Sequence, residues 1–290
     1  MISSNRLVLG CARFSGKYGV NSRKDIGFTE LRKIFVKNKK FIKEIDTAIT
    51  YENANKKLSK IPLNKIRVSS KIPKLDLSEK TYETKIIKKV KNHAKHLNIR
   101  KFEVLYLHEP KQILKKSGWK VIKVLKKFKR LKLTRKIGIT VYTPKELKNM
   151  IKKFKPDVVQ IPINILDRRF LKGELLKFLK KKNINIYVRS IFLQGLLVKN
   201  FSKLPGYFNK WKKIFISLEK WSDKKRLSKV ETCLSICKLL PKKSKIVFGV
   251  ENDIQFKDFL KSIKIQSFPP KKIFSNHEKL INPSKWTIKN

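Results

Sequence analysis

Four side chains that can move or orient a proton follow short apolar segments of the sequence. They are Asp46, Tyr51, Lys71 and His108. Tyr alone is a weak acid with a reference pKa of about 10, and a neighbouring ammonium favours its phenolate form. A carboxylate beside the ammonium would hold that ammonium in place, and an imidazole can bind a substrate oxygen. Together the four groups predict a site that protonates a carbonyl oxygen while hydride arrives from elsewhere.

The segments that must position these residues alternate between two kinds. Eight short apolar segments predict strands, at residues 7–9, 41–46, 66–71, 104–108, 136–140, 158–161, 184–189 and 246–249. Longer Lys-rich amphipathic segments lie between them, and this alternation is typical of β-α units that build a parallel sheet. Eight strands are enough to close a (β/α)8 TIM barrel, whose active sites form at the C-terminal ends of the strands.

Helical spacing of apolar residues predicts the intervening helices. They lie at residues 29–38, with Thr29 as N-cap, and at 79–96, 119–131, 144–154 and 173–182. A further helix near residues 229–239 lies within the long connection 196–245, which we expect to fold over the barrel mouth as a substrate loop. The sequence from Pro269 onward is expected to lie on the surface as a tail.

The length and composition fit one barrel domain over residues 1–290. A hydrophobic fraction of 41% supplies a core, and no apolar segment approaches the ~18 residues of a membrane span. The N-terminus lacks the pattern of a signal peptide. Cys11, Cys233 and Cys237 form no disulfide framework or metal-ligand spacing, so we expect no metal and a reducing cytoplasmic location. The sequence does not fix the oligomeric state.

The charge of the chain is strongly positive. Lys and Arg number 73 against 21 Asp and Glu, which gives a formal net charge of +52. One interpretation is binding to nucleic acid or an anionic membrane surface. The other is a coding bias toward Lys, with the lysines solvated on helix faces. The even spread from Lys17 to Lys289 favours the second interpretation and predicts no specific nucleic-acid partner.

The motifs resemble those of the aldo/keto reductase family. Residues 46–51, Asp-Thr-Ala-Ile-Thr-Tyr, resemble the signature Asp-Thr-Ala-x-x-Tyr, and Lys71 and His108 resemble the family's lysine and histidine after the third and fourth strands. Further segments resemble the family's first, fifth, sixth, seventh and eighth strands, at residues 9–21, 137–142, 159–169, 188–197 and 247–250. The form Arg-Ser-x-Phe-Leu-Gln-Gly resembles a branch associated with bacterial surface-sugar pathways.

This resemblance implies a role for each matching residue. Tyr51 would be the general acid, Lys71 would lower its pKa, Asp46 would hold Lys71, and His108 would orient the carbonyl. The implied cofactor is NADP or NAD, and the implied substrate is a small carbonyl compound or a sugar derivative. The implied cofactor-binding residues are Thr140 and Gln160 at the carboxamide, Arg189 beside the nicotinamide, Ser190, Phe192, Gln194 and Gly195 at the pyrophosphate, and Gly249, Val250, Glu251, Asn252 and Gln255 at the adenosine.

Several residues depart from the family's pattern. Glu52 follows Tyr51, where it would either raise the Tyr51 pKa or face solvent, and Val141 stands where an Asn often clamps the carboxamide. The positions that resemble the phosphate clamp carry no cation, and Glu251 would repel a 2′-phosphate but accept a hydrogen bond from a ribose hydroxyl. We therefore expect NADH to be used at least as well as NADPH, with Lys245 and Lys257 as the first candidates for an unrecognised cation.

Other interpretations of the same residues stay open. Tyr51 alone could serve packing, Asp46 could be a helix N-cap, His108 could be a core histidine and Gln160 a buried amide. His93, His96 and His277 are expected at the surface. For the whole chain, the alternatives are a catalytically inactive reductase-like barrel that binds a ligand or partner, and a basic nucleic-acid-associated protein.

Overall fold

Eight parallel strands form a closed barrel in which each strand pairs with the next and β1 pairs with β8. The computed structural model describes residues 2–16, 19–20 and 25–288. The strands are β1 Leu7–Gly10, β2 Glu44–Asp46, β3 Arg67–Ile72, β4 Phe102–Leu107, β5 Thr134–Thr140, β6 Val158–Pro162, β7 Asn185–Arg189 and β8 Lys245–Phe248. The predicted (β/α)8 barrel is confirmed, and all eight predicted strands occur.

The register of the strands brings their C-terminal residues to one rim. Gly10 pairs with Asp46, and Asp46 pairs with Ser69 on the next strand. On the opposite side of the barrel, Thr140 pairs with Gln160. Because all neighbours are parallel, residues that end different strands are close in space although they are far apart in sequence.

Ten α-helices occur within the described residues. They are α1 Phe28–Lys37, α2 Glu52–Leu58, α3 Tyr82–His96, α4 Gly118–Arg130, α5 Pro144–Lys153, α6 Leu175–Lys181, α7 Lys212–Lys224, α8 Lys229–Leu234, α9 Asp253–Ser262 and α10 Glu278–Ile281. The six predicted helices are present with shifted ends, whereas α2, α7, α9 and α10 were missed. Thr29 lies inside α1, whose N-cap is Gly27, so the predicted cap is wrong.

The second strand is shorter than its apolar segment predicted. Residues 41–43 were expected to belong to it, but the amides of Phe41 and Ile42 donate to the carbonyl of Asn38. These bonds continue the turn that ends α1, so the two amides are not available to a sheet. The strand therefore begins at Glu44.

The inside of the barrel is filled by a small cluster of side chains. Val8, Val104, Tyr106, Val158 and Tyr187 are all buried there. A Cβ on Gly138 would lie 2.3 Å from Cδ1 of Tyr106, so only glycine at that position of β5 leaves room for the Tyr106 ring. The larger core, which contains most of the apolar helix faces, surrounds this cluster.

A buried carboxylate organises the floor of the barrel. Glu44 accepts hydrogen bonds from Tyr187 Oη at 2.8 Å and Ser69 Oγ at 3.2 Å, and it pairs with Arg67 and Lys245. Contacts at the N-terminal ends of barrel strands serve stability rather than chemistry. Lys245 is therefore bound at the floor, at the opposite end of the barrel from the rim where cofactor binding was expected.

The C-terminal segment packs on the barrel, and the predicted surface tail is wrong. Leu280 and Ile281 are buried in the core. Trp286 donates from Nε1 to the Leu280 carbonyl at 3.0 Å, and its ring lies 5.1 Å from the ring of Phe208. Apolar residues after Pro269 therefore cover part of the barrel together with the long connection that follows β7.

His93 was predicted at the surface from the sequence, and this prediction is wrong. Its ring is buried on α3, stacks on Phe102 at 5.3 Å and lies 3.0 Å from the hydroxyl of Ser70. His96 and His277 are exposed, as expected. In the described part of the chain, none of the helices has the length and apolar character needed to cross a bilayer.

Candidate active site

The four proton-handling residues meet at the C-terminal rim of the barrel. Asp46 ends β2, Lys71 lies in β3, His108 follows β4, and Tyr51 immediately precedes α2. Lys71 Nζ donates to Asp46 Oδ1 and to the carbonyl of Thr47, the latter at 3.2 Å. Its ammonium lies 5.8 Å from the centroid of the Tyr51 ring. The ion pair is buried, so it is little screened by solvent.

Backbone and side-chain bonds fix the loop that carries Tyr51. The amides of Thr47 and Ile49 donate to the carbonyls of Ser69 and Lys71 on β3. Asn55 on α2 then closes the loop, since its side chain accepts from Thr47 Oγ1 and donates to the Ala48 carbonyl, each at 2.9 Å. The Asp-Thr-Ala segment thus spans from β2 to α2 with Tyr51 held at the rim.

The environment of Tyr51 keeps its phenol protonated. Burial raises the pKa of Tyr51, and the charge of Asp46 raises it further. The largest opposing effect on this pKa comes from the Arg189 guanidinium, whereas the resemblance assigned the lowering to Lys71. Glu52 is exposed, so of its two predicted outcomes it faces solvent.

His108 is held in its neutral form. Burial lowers the pKa of His108, and the neighbouring cations Lys71 and Arg189 lower it further. The backbone carbonyl of His108 accepts a hydrogen bond from Thr140 Oγ1 at 3.0 Å, which ties the loop after β4 to β5. A neutral imidazole at the rim can donate an N–H to a substrate oxygen without carrying a charge.

Gln160 contacts the ion pair directly. Its Nε2 donates to Asp46 Oδ2 at 2.8 Å, and both side chains are buried. The sequence placed Gln160 at the nicotinamide carboxamide but gave no sign of a contact with Asp46, which is 114 residues away. Each oxygen of the Asp46 carboxylate therefore has a donor, one from Lys71 and one from Gln160.

A cleft of about 640 Å³ extends from these residues to the loops after β7 and β8. Predicted site residues that line it are Asp46, Tyr51, Lys71, His108, Thr140, Gln160, Arg189, Ser190, Phe192, Gln194, Gly195, Gly249, Val250, Glu251 and Gln255. Among the described residues, Asn252 is the one predicted site residue that does not line the cleft. Its side chain accepts from the amide of Gln255 at 2.8 Å and caps α9 instead.

The loop after β7 has an unusual backbone. Ser190, Leu193 and Gln194 adopt positive φ angles of 65°, 47° and 54°, and Gly195 has a φ of 82°. Left-handed non-glycine residues are strained, and such strain is concentrated at functional sites. The loop curls along one wall of the cleft, and the amide of Val20 donates to the Gln194 carbonyl at 3.1 Å across it.

Arg189 lies between the end of the cleft that holds Tyr51 and this loop. Its guanidinium lies 4.4 Å from the centroid of the Tyr142 ring and donates to Ser190 Oγ at 3.2 Å. The sequence did not identify Tyr142, which also lines the cleft. The signal was available, since Tyr142 lies two residues past the end of β5 at the same rim.

Three further parts of the cleft wall were missed. Arg13 Nε pairs with Glu251 Oε1 at 2.7 Å, Lys199 lines the cleft after β7, and residues 282–284 line it from the C-terminal segment. Arg13 follows β1 as His108 follows β4, so its position was a usable signal. Lys257, suggested by the sequence as a cation for the cofactor, pairs with Asp253 at 3.0 Å and does not line the cleft.

The cleft suits a dinucleotide in size and chemistry. Its volume lies within the range of ~300–1,000 Å³ that small-molecule and cofactor sites occupy. Arg13 and Lys199 provide cations at its walls, and Gly249 leaves open space, since a Cβ there would meet only the Gly10 carbonyl at 3.9 Å. Within the described residues, no group of three or more His, Cys, Asp or Glu side chains is arranged to hold a metal ion. Lys17, Tyr18 and Asn21, part of the segment that resembles the family's first loop, lie outside the described residues.

Known proteins share the sequence profile and the fold of this chain. The sequence profile of the aldo/keto reductase family matches residues 6–279. The structure is similar to an aldo-keto reductase from Bacillus halodurans in its holo form, with 16% identity and a TM-score of 0.71 over 91% of this chain and 88% of that one. It is also similar to a glycerol dehydrogenase from Gluconobacter oxydans, with 16% identity and a TM-score of 0.66 over 91% and 87%. A search of curated protein sequences found no match.

Proposed function

Because this chain belongs to the aldo/keto reductase family, we propose that it transfers hydride from NADPH or NADH to an aldehyde or ketone, with Tyr51 as the general acid. The observation that carries the proposal is the buried Lys71–Asp46 pair beside Tyr51 and His108 at the rim of the barrel. When bound, the nicotinamide supplies the hydride, while the protein supplies position and charge.

Tyr51 and His108 would both contact the carbonyl oxygen of the substrate, with different roles. Tyr51 Oη would give its proton to that oxygen as negative charge develops there. The neutral imidazole of His108 would donate an N–H to the same oxygen and so orient the carbonyl. Tyr51 is protonated at neutral pH and so holds the proton that this assignment requires, whereas burial and Asp46 raise its pKa and make it a weaker acid than the resemblance implied.

The cofactor-binding residues follow the length of the cleft. Thr140 and Gln160 would hold the carboxamide at the rim, with Arg189 beside the ring. Ser190, Phe192, Gln194 and Gly195 would hold the pyrophosphate, and the residues after β8 would hold the adenosine end. The support for this order is that these residues line one continuous cleft, with the proton-handling groups at one end.

Arg13 affects which of the two cofactors the cleft should prefer. Its pairing with Glu251 neutralises the carboxylate that the sequence suggested would repel a 2′-phosphate. The same pairing also occupies a cation that a phosphate would use. We therefore keep the proposal that NADH is used at least as well as NADPH, with Glu251 and Arg13 as the residues that set the balance.

The proposed substrate is a small carbonyl compound or a sugar derivative. Beyond the proton-handling residues, the polar residues Tyr142, Asn282 and Ser284 line the cleft. Hydroxyl and amide groups of this kind suit a substrate that itself carries hydroxyls. A panel of aldehydes, ketones and aldoses assayed with both cofactors would identify the class.

Replacing Tyr51 by Phe tests the central assignment. Tyr51→Phe keeps the ring and removes the proton, so turnover should fall by at least the ~10²-fold typical of a lost general acid. Binding of the cofactor, measured by fluorescence titration, should persist. Tyr82→Phe removes a hydroxyl on α3 away from the cleft and provides the matched control. Near-normal turnover by Tyr51→Phe would contradict the assignment, and cofactor binding without turnover by the wild type on any carbonyl would favour an inactive binding barrel.

A further inference from the structure

The geometry points to a second role for Gln160: we propose that it is a positioning residue that holds the Asp46–Lys71 pair against Tyr51. The proposal rests on the proposed function of this site and deepens it. Its basis is the hydrogen bond from Gln160 Nε2 to Asp46 Oδ2 at 2.8 Å between two buried side chains. This bond joins β6 to β2 across the inside of the barrel.

Hydrogen-bond chemistry fixes the orientation of the Gln160 amide. An ionised carboxylate only accepts hydrogen bonds, so the amide nitrogen and not its oxygen must face Asp46. A donor to a charged acceptor makes one of the stronger hydrogen bonds in a protein, and burial strengthens it. Asp46 is then held at both oxygens, and it cannot rotate without breaking the bond to Lys71 or the bond to Gln160.

A buried aromatic ring packs against the ion pair inside the barrel. The Tyr106 ring lies on the neighbouring strand, where it pairs in register with Lys71; its centroid is 5.9 Å from Lys71 Nζ, and the ring is fully buried. Gly138 on β5 leaves the space that the ring fills. The ammonium of Lys71 therefore packs against the rings of both Tyr106 and Tyr51, which restricts the position of the pair relative to Tyr51.

The consequence for Tyr51 has a definite sign. The charge of Asp46 raises the pKa of Tyr51. The hydrogen bond from Gln160 Nε2 stabilises and partly neutralises that charge. Loss of this donor should therefore raise the pKa of Tyr51 further. The groups that bear on the Tyr51 phenol are Asp46 from β2, Lys71 from β3, Arg189 from β7, Tyr142 after β5 and Cys11 after β1.

The test uses alcohol oxidation, in which Tyr51 must act as a phenolate base. At saturating cofactor, Gln160→Leu should move the rising, acid-side limb of the kcat profile, below which Tyr51 is protonated, to higher pH. At a fixed pH below that limb, kcat should fall by about tenfold for each pH unit by which the limb moves, with little change in KM for the alcohol. Gln160→Met keeps the length of the side chain but removes the donor to Asp46, so it should move the limb in the same direction.

The alternative is that Gln160 serves only to bind the nicotinamide carboxamide. In that case both variants would weaken cofactor binding but leave the pH profile at saturating cofactor unchanged, and this result would overturn the proposal. Gln266→Leu and Gln266→Met, at an exposed position outside the cleft, are the matched controls. Melting temperatures would show whether each variant is folded.

A second measurement needs no turnover and separates this proposal from the proposed function. An amine-reactive reagent modifies lysines according to their accessibility, and mass spectrometry of peptides reads the rate at Lys71. Because its partner Asp46 would no longer be fixed, Lys71 should react several-fold faster in Gln160→Leu, relative to Lys245 at the floor of the same barrel. An unchanged rate would contradict the positioning role even if the protein reduces no carbonyl.

Discussion

Burial shifts the pKa values of two single side chains at the rim in opposite directions. Burial raises the pKa of Tyr51 and keeps it an acid, and burial lowers the pKa of His108 and keeps it neutral. The two shifts have opposite signs because desolvation disfavours the charged form of each group. At neutral pH the site therefore presents a protonated phenol and an uncharged imidazole to a carbonyl oxygen.

We expect a substitution of Glu251, which pairs with Arg13, to change the cofactor preference. Glu251→Gln removes the anion that would repel a 2′-phosphate beside Arg13, so the affinity for NADPH relative to NADH should rise by about tenfold. Dissociation constants for both cofactors at physiological salt measure the effect. Lys257→Gln, whose ion pair with Asp253 lies outside the cleft, should change neither constant. A wild-type preference for NADPH of a hundredfold or more would contradict the proposed use of NADH.

We expect the protein to lose stability in mild acid because of His93. Its pKa is lowered by burial to about 4 from the reference value of 6.5. The unfolded chain therefore binds a proton in a range where the folded chain does not. Above pH 6.5 His93 is neutral in both the folded and the unfolded state and does not lower stability. As the pH falls from 6.5 toward 4, the free energy of unfolding decreases.

The size of this loss can be measured by denaturant unfolding. At pH 5 the free energy of unfolding should be lower by about 2 kcal/mol than at pH 7.5 on account of His93. His93→Gln keeps a hydrogen-bonding group near Ser70 but does not titrate, so this part of the pH dependence should disappear. Equal pH dependence in the variant would show that other groups are responsible.

At the scale of elements, β5 and β4 depend on each other through one glycine. A Cβ at residue 138 would lie 2.3 Å and 2.5 Å from two atoms of the Tyr106 ring. Gly138→Ala should therefore destabilise the protein by about 1–3 kcal/mol, the range for overpacked cores. Because the ring supports Lys71, we expect activity to fall as well.

The controls for this substitution are in the same chain. In Gly206→Ala the new Cβ would meet no heavy atom closer than Asn209 Nδ2 at 3.8 Å, so the free energy of unfolding should change by less than about 0.5 kcal/mol. Combining Gly138→Ala with Tyr106→Leu should recover part of the lost stability. No recovery would mean that the clash with Tyr106 is not the cause.

The whole molecule presents its positive charge on all sides. Lys33 on α1, Lys88 on α3, Lys126 on α4 and Lys177 on α6 are all exposed, and these helices surround the barrel. This distribution supports the interpretation that the charge of +52 is a coding bias rather than a nucleic-acid surface. A binding surface would concentrate the cations on one face.

The even charge predicts how the protein should behave toward DNA. Any binding should be independent of sequence and should weaken steeply with added salt, because phosphate contacts release counterions. Fluorescence anisotropy with two unrelated duplexes over a range of salt concentrations measures both properties. Nanomolar binding that selects one duplex at physiological salt would favour the nucleic-acid alternative.

The sequence by itself determined the barrel and the rim at which its chemistry lies. Apolar segments alternating with amphipathic helices specify parallel strands, and the residues just after such strands must meet at one end of a barrel. For this reason Asp46, Tyr51, Lys71 and His108 could be identified from the sequence. These signals are local, since each strand and its following residue are neighbours in the chain.

Only the tertiary structure decided which side chains touch across the barrel. The Gln160–Asp46 bond spans 114 residues and the Arg13–Glu251 pair spans 238. Both exist because closure of the barrel brings strands together that are far apart in the chain, and no local pattern encodes that distance. The burial of His93 and the packing of Trp286 have the same origin, since the surface that covers a residue is supplied by other elements.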